Sequence, residues 1–249
     1  MVRKPIHRMS SAGLTPQYDE LAGEEIITIL EGENVVVRIL ATPYDLEDLA
    51  IGHIACEGRG TIASVVVNEN IITIEGDVLN RPSEDLLTAA CGACTEGDIL
   101  IPNSSVSNSI ILSSKPSELI DKMSEFQPIF KSTGGVHASG LFSQNGKMHF
   151  VREDVGRHNS LDKVVGAAIR SGLDPKECVL ILSGRMGWEL VAKASRIGIE
   201  IVISVGAISA AAANLGRSCG MTLIGFAKND DGIVIGSSSR LDPIVFGNR

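Results

Sequence analysis

Two runs of almost unbroken apolar residues, Val179-Leu-Ile-Leu182 and Ile199-Glu-Ile-Val-Ile-Ser-Val205, constrain this chain most. Neither alternates apolar with polar side chains, as a strand with one wet face would, so each reads as a strand covered on both faces. Around them the spacing is helical, over about 158 to 171, 187 to 197 and 209 to 218, and Gly172 and Gly198 stand where two of these helices stop. Strands at about 222 to 227 and 233 to 235 complete the series. Strand and helix in alternation predict an α/β fold, with a mixed, largely parallel sheet and helices on both faces. Ligands of such sheets gather at the carboxyl ends of the strands. Here those ends are Ser183-Gly184-Arg185 and Ser204-Val-Gly206-Ala-Ile-Ser209.

The first half reads differently. Ile26 to Glu31 and Val35 to Leu40, split by Gly32-Glu33-Asn34, predict a β-hairpin, and Asp45 offers an N-cap for a helix from Leu46 to Glu57 that Gly58 stops. Two strands follow at about 62 to 67 and 70 to 75, then a helix from Pro116 to Phe126 and a second hairpin around Asn145-Gly146. The expected organisation is a flexible stretch over 1–20, a smaller N-terminal β-rich lobe with a helix over 21–128, and an α/β main domain over 129–249, packed as one unit.

With 249 residues, 44% of them hydrophobic, the chain has enough material for a core without disulfide staples. A net charge of −8 argues against the broad basic face of a sequence-independent nucleic-acid binder. No stretch approaches about 18 uninterrupted apolar residues, and the start Met1-Val-Arg-Lys-Pro lacks the apolar run of a signal peptide. The expectation is a cytoplasmic protein with no membrane and no nucleic-acid partner. Five cysteines, at 56, 91, 94, 178 and 219, make a poor disulfide framework and fit a reducing compartment.

Cys91-Gly92-Ala93-Cys94 sits among turn-forming residues with no strand or helix pattern of its own, which leaves a thiol pair available for chemistry. Three readings are open. Half of a zinc site needs two more ligands, and no second CxxC or HxxxH pair exists, although Cys219 with His137 or His158 could complete a site in space. Dithiol redox work places the pair where a strand enters a helix within a βαβ pattern, and here it lies upstream of that pattern. A sulfur carrier needs a thiolate that accepts sulfur as a persulfide and a neighbour that helps release it.

Downstream, Thr133-Gly-Gly-Val-His137-Ala-Ser-Gly and Glu153-Asp-Val-Gly156-Arg157-His158-Asn159 set glycines beside polar groups, where a backbone can approach a ligand closely. Arg157 and His158 follow Gly156 at the start of a helix that Asn159 or Ser160 caps, and Arg185 repeats the arrangement after Ser183-Gly184. Cations beside helix N-termini favour a polyanionic ligand. Glu153 and Asp154 also admit a plain ion-pair role with Arg152 or Arg157.

At these residues the chain resembles the FdhD family of formate dehydrogenase accessory sulfurtransferases. The shared features are Thr42-Pro43 with Asp45-Leu-Glu-Asp-Leu-Ala-Ile-Gly52, the CxxC pair, Thr133-Gly-Gly-Val-His-Ala138, Arg152-Glu-Asp-Val-Gly-Arg-His-Asn-Ser-Leu-Asp-Lys163, and Leu182-Ser-Gly-Arg185 with Glu189-Leu190. The loop Val205-Gly-Ala-Ile-Ser209 departs from the family's Ser-Ala-Pro-Thr-Ser. The resemblance implies a main domain similar to the cytidine deaminase fold. It also implies a homodimer that takes sulfur from a cysteine desulfurase as a persulfide and passes it to a molybdenum or tungsten bis-pterin guanine dinucleotide cofactor for the formate dehydrogenase apoenzyme. That cofactor is a bound substrate recognised through its GDP-like end, and no metal of the protein's own is expected. Cys91 is then the carrier and Cys94 its assistant, with Gly134, Gly135, His137, Arg157, His158, Ser183 and Arg185 forming the cofactor pocket. The alternative is a non-catalytic cofactor-binding chaperone whose CxxC is a structural zinc or redox site. Deaminase chemistry is not implied, because His137-Ala138-Ser139 lacks the glutamate of the HxE pair.

Overall fold

The computed structural model describes residues 1–79, 105–107, 109–229 and 231–247. The chain opens with an antiparallel hairpin, β1 (Val2–Ser10) and β2 (Gly13–Leu21), paired along its whole length. This corrects the expectation of a flexible stretch over 1–20. Pro5, Pro16 and scattered charges hide a period-two pattern in the sequence, while nine consecutive cross-strand pairs hold the ladder.

A four-stranded sheet follows in the order β4-β3-β6-β5, from β3 (Glu25–Glu31), β4 (Asn34–Ala41), β5 (Gly60–Asn68) and β6 (Ile71–Val78). Its inner face buries Ile27, Ile29, Ile72 and Ile74 against helix α1 (Leu46–Cys56). Asp45 stands at the N-cap of α1 in the left-handed region, φ 53°, without a side-chain cap, and Gly58, φ 66°, turns the chain out of the helix.

Next come α2 (Pro116–Glu125), α3 (Pro128–Thr133), β7 (His137–Phe142), β8 (Met148–Asp154) and α4 (Arg157–Arg170). β9 (Val179–Leu182), α5 (Trp188–Arg196), β10 (Ile201–Ser204), α6 (Ala210–Ser218), β11 (Thr222–Gly225), β12 (Ile233–Gly236) and α7 (Pro243–Phe246) finish the chain. The central sheet has the order β12-β11-β10-β9-β7-β8. It is mixed: β9, β10 and β11 run parallel, while β12 and β7 pair antiparallel with their neighbours.

The apolar runs of β9 and β10 are explained by two cores. Leu180, Leu182 and Val202 face α4, α5 and α6, whereas Val179, Ile181, Ile201 and Ile203 face Leu119, Ile120 and Met123 of α2. Successive crossovers step the same way along the sheet, and right-handed connection puts their helices on one face. α2 lies on the N-terminal side of the expected boundary at 128, yet its apolar stripe covers the other face of the main sheet.

The lobe joins the main domain where α1 crosses α4. A Cβ at Gly52 would lie 1.7 Å from the Asp162 carbonyl oxygen, and one at Gly166 would lie 1.9 Å from the Asp48 carbonyl oxygen, so the two backbones touch through both glycines. Charges pair across this seam. Asp48 binds Arg152 at 2.8 Å and Arg170 at 2.8 Å, and Lys193 binds Asp162 at 2.6 Å and Glu57 at 3.0 Å. Burial alone would lower the Lys193 ammonium, but Asp162 and Glu57 hold it above its ordinary value.

No helix among the described residues is long and apolar enough to cross a membrane.

Candidate functional site

β8, β9 and β10 all end at one edge of the central sheet, and β7, antiparallel to β8 and β9, begins there. His137 therefore opens a strand opposite Asp154; the expected tight turn around it is the preceding Gly134-Gly135. Ser183 follows β9 alongside it, donating its N–H to the Ala138 carbonyl at 3.0 Å and accepting the Ala138 N–H on Oγ at 2.8 Å. The loops after β9 and β10 run side by side, with Met186 N–H donating to the Ala207 carbonyl at 2.9 Å. Glycines permit this closeness: a Cβ at Gly184 would meet His137 Nδ1 at 3.0 Å, and one at Gly206 would meet Arg185 N at 3.0 Å.

At the same edge, on the α2 side, lies a cavity of about 630 Å³. Ile120, Met123, Phe130, Val136, Val155 and Val205 make its apolar wall, and Asp121, Ser124, Gln127 and Lys228 supply polar groups. Gly134, Gly135, His137 and Ser183 line it as well. Gly134 ends α3 in the left-handed region, φ 64°, and nothing lies within 4 Å of where its Cβ would be, so the backbone there is bare toward the opening.

Arg157, His158 and Arg185, placed in the pocket from the sequence, do not line this cavity but lie near His137, which does. Their presence is felt at His137, whose basicity is lowered first by burial and then by the positive field of Arg157, His158 and Arg185, against a smaller opposing pull from Asp154. A field that resists a proton attracts an anion. Among the described residues neither Arg157 nor Arg185 forms an ion pair. The nearest acids are occupied elsewhere. Glu153 accepts the backbone N–H groups of Ile129 and Phe130 at 2.9 and 2.8 Å, at the N-terminus of α3. Asp154 binds Lys163 at 2.7 Å and accepts the Thr42 N–H at 3.0 Å. Glu153 and Asp154 thus have structural roles, but with partners other than the Arg152 and Arg157 named from sequence.

Two expectations about the start of α4 are corrected. The N-cap is Gly156 with no side-chain cap; Asn159 instead donates to the Leu40 carbonyl and Asp154 at 2.9 Å each, and the Ser160 hydroxyl meets Ser139 at 2.9 Å. His158, named with the pocket from sequence, does not line the cavity. It is buried and turns to Glu189 in the first turn of α5, Nε2 to Oε2 3.3 Å, because the carboxylate there offers the partner that a buried imidazole needs. Nδ1 of His158 is buried without a hydrogen-bond partner among the described residues.

Cys91 and Cys94 lie outside the described residues. The chain on either side of them is anchored. Leu79 exchanges hydrogen bonds with Arg59, and Ser107, Ser109 and Ile110 all donate to Glu200, which also binds Arg240 at 3.0 Å. Burial would raise the Glu200 carboxyl, but these donors bring it down to about 2. Cys219, considered from sequence as a zinc ligand with His137 or His158, ends α6 at the opposite edge of the sheet from both histidines. Among the described residues no group of three or more His, Cys, Asp or Glu side chains is arranged to hold a metal.

The family model of the FdhD/NarQ proteins matches residues 22–242. The chain belongs to the FdhD/NarQ family. It is 34% identical to the sulfur carrier protein FdhD of Thermoplasma acidophilum over 96% of this chain and 92% of that protein. Identity to the FdhD of Nocardia farcinica is 33%, over 99% and 97%. A crystal structure from Desulfotalea psychrophila, assigned as a formate dehydrogenase accessory protein, superposes with a TM-score of 0.77 over 97% of this chain and 99% of that one. At 21% identity that likeness shows the shared fold.

Sequence reasoning did not single out Gln127, Phe130 and Lys228 of the cavity. Pro128, a residue suited to a first helical turn, is the signal that marks α3 and hence Phe130.

Proposed function

We propose that this chain carries sulfur on Cys91 as a persulfide and delivers it to a molybdenum or tungsten bis-pterin guanine dinucleotide cofactor, its substrate, for the formate dehydrogenase apoenzyme. The observation that carries this reading is the edge cavity with glycine backbone in its wall and, near its His137, two arginines that form no ion pair among the described residues. A phosphate-bearing nucleotide end has the charge to match. Gly134, Gly135, His137 and Ser183 then contact the substrate, Arg157 and Arg185 attract its phosphates, and Glu189 holds His158 at the start of α4. The name shared by the relatives, sulfur carrier protein, supports the sulfur half of the reading.

The chemistry closes with two thiols. The Cys91 thiolate attacks the terminal sulfur of a desulfurase persulfide, an S–S bond forms, and the desulfurase thiolate leaves. In the release step the Cys94 thiolate attacks the Cys91 sulfur, a Cys91–Cys94 disulfide forms, and sulfide departs for the metal. An external thiol reductant then restores the pair. The working unit in this reading is a homodimer that meets a cysteine desulfurase and the apoenzyme in turn.

The test is to incubate the reduced protein with a cysteine desulfurase and cysteine, then map added sulfur by intact mass and peptide mass, with Cys91→Ala and Cys94→Ala as controls. The expected result is one sulfur atom added at Cys91, absent in Cys91→Ala and longer-lived in Cys94→Ala. Stoichiometric zinc on the pair with no sulfur added would overturn the carrier reading and leave cofactor binding alone.

A further inference from the structure

The β1–β2 hairpin stands away from the body, with α3 as its main neighbour outside its own ladder. Isolated two-stranded hairpins are marginal in water and need a covering surface. Paired residues share a face, so Pro5 with Tyr18, His7 with Pro16, and Met9 with Leu14 build one apolar side. That side is bare: Met9 is 83% exposed, Leu14 67% and Tyr18 63%.

A second bare apolar surface lies on the outer face of the four-stranded sheet. Ile26 and Leu40 are cross-strand partners there, and Ile71 and Val66 continue the patch on β6 and β5. All four are exposed, Ile26 by 62% and Val66 by 63%. The inner face of the same strands is already filled by α1.

We propose that these two surfaces meet in a symmetric pair of copies, the hairpin of each lying across the outer sheet face of the other. Nine-residue strands extend about 30 Å and four strands span about 19 Å, so the arm is long enough to cross the sheet. Each copy brings a 21-residue arm and one sheet face, which matches the roughly 20–30 residues a side of a standard interface. Reciprocal contact of different patches is what a two-fold axis allows. This proposal deepens the homodimer of the functional reading by naming its surfaces, and it rests on that homodimer.

The experiment compares the full chain with Met9→Glu/Tyr18→Glu and with Ile71→Glu by sedimentation equilibrium, each checked for a cooperative thermal transition. Met9, Tyr18 and Ile71 are all exposed, so the variants are expected to fold. The wild type should be a dimer, and each variant alone should dissociate at least 100-fold more readily. Mixed together, the two variants should form heterodimers, because an intact arm from one still meets an intact sheet from the other. A monomeric wild type overturns the homodimer itself. A dimeric wild type whose variants stay dimeric, or whose mixture of dissociated variants stays monomeric, overturns only the arm-on-sheet assignment.

Discussion

The α1–α4 seam and the carboxyl edge of the central sheet are both rich in charge, and they use it in opposite ways. At the seam each of Asp48, Asp154, Asp162 and Lys193 has a partner of opposite sign, and Gly52 and Gly166 let the backbones touch. At the edge Arg157 and Arg185 have no ion pair among the described residues, and the neighbouring acids are turned away into the fold. Paired charge fixes geometry, whereas unpaired charge beside a cavity is poised for a ligand. One string of sequence, Arg152 to Lys163, supplies both regions, so a specific motif need not be wholly a binding motif.

The sharpest way to separate the regions is Lys163→Met. It strands Asp154, fully buried, without its cation, and removing one member of a buried pair costs about 3–5 kcal/mol. Urea unfolding should show that loss. Arg157→Ala should do the reverse: stability within about 0.5 kcal/mol of wild type, with affinity for GDP reduced about tenfold or more, as calorimetric titration would read. A seam variant that weakens nucleotide binding without unfolding, or an Arg157 variant that unfolds, breaks the distinction.

Two pH effects sharpen it further. The Glu200 carboxyl is depressed in the folded chain, so its contribution is present above the ordinary value of 4.5 and is lost as pH falls toward about 2. Glu200→Gln should flatten the acid limb of the stability curve in that window. His137 binds its proton less readily folded than unfolded. Below about pH 6.5 the unfolded chain takes up that proton first, so stability declines there, and His137→Gln should remove a small part of the decline. Denaturation midpoints from pH 7 to 5 would show it.

Much of the main domain was legible because its strands are covered on both sides. Val179–Leu182 reads as a strand at both ends, and Asn145-Gly146 marks the β7–β8 hairpin through chemistry local to the turn. The first hairpin was illegible because no buried face imposes alternation on it. The destinations of Asp48, Asp154 and Asn159 were equally hidden, since their partners lie more than 100 residues away for Arg152, Thr42 and Leu40. Of the site, glycines and arginines at strand ends can be read from the order of elements, but His158 turning to Glu189 depends on how two helix starts pack.

The proposed hold of the edge cavity on the phosphate-bearing end of its substrate rests on Arg157 and Arg185. Titrating GDP into the wild type and into Arg157→Ala/Arg185→Ala, with unfolding midpoints measured alongside, tests it most directly. Saturable binding that the double variant loses while its midpoint stays unchanged is the predicted result. Equal affinity in both proteins would contradict it.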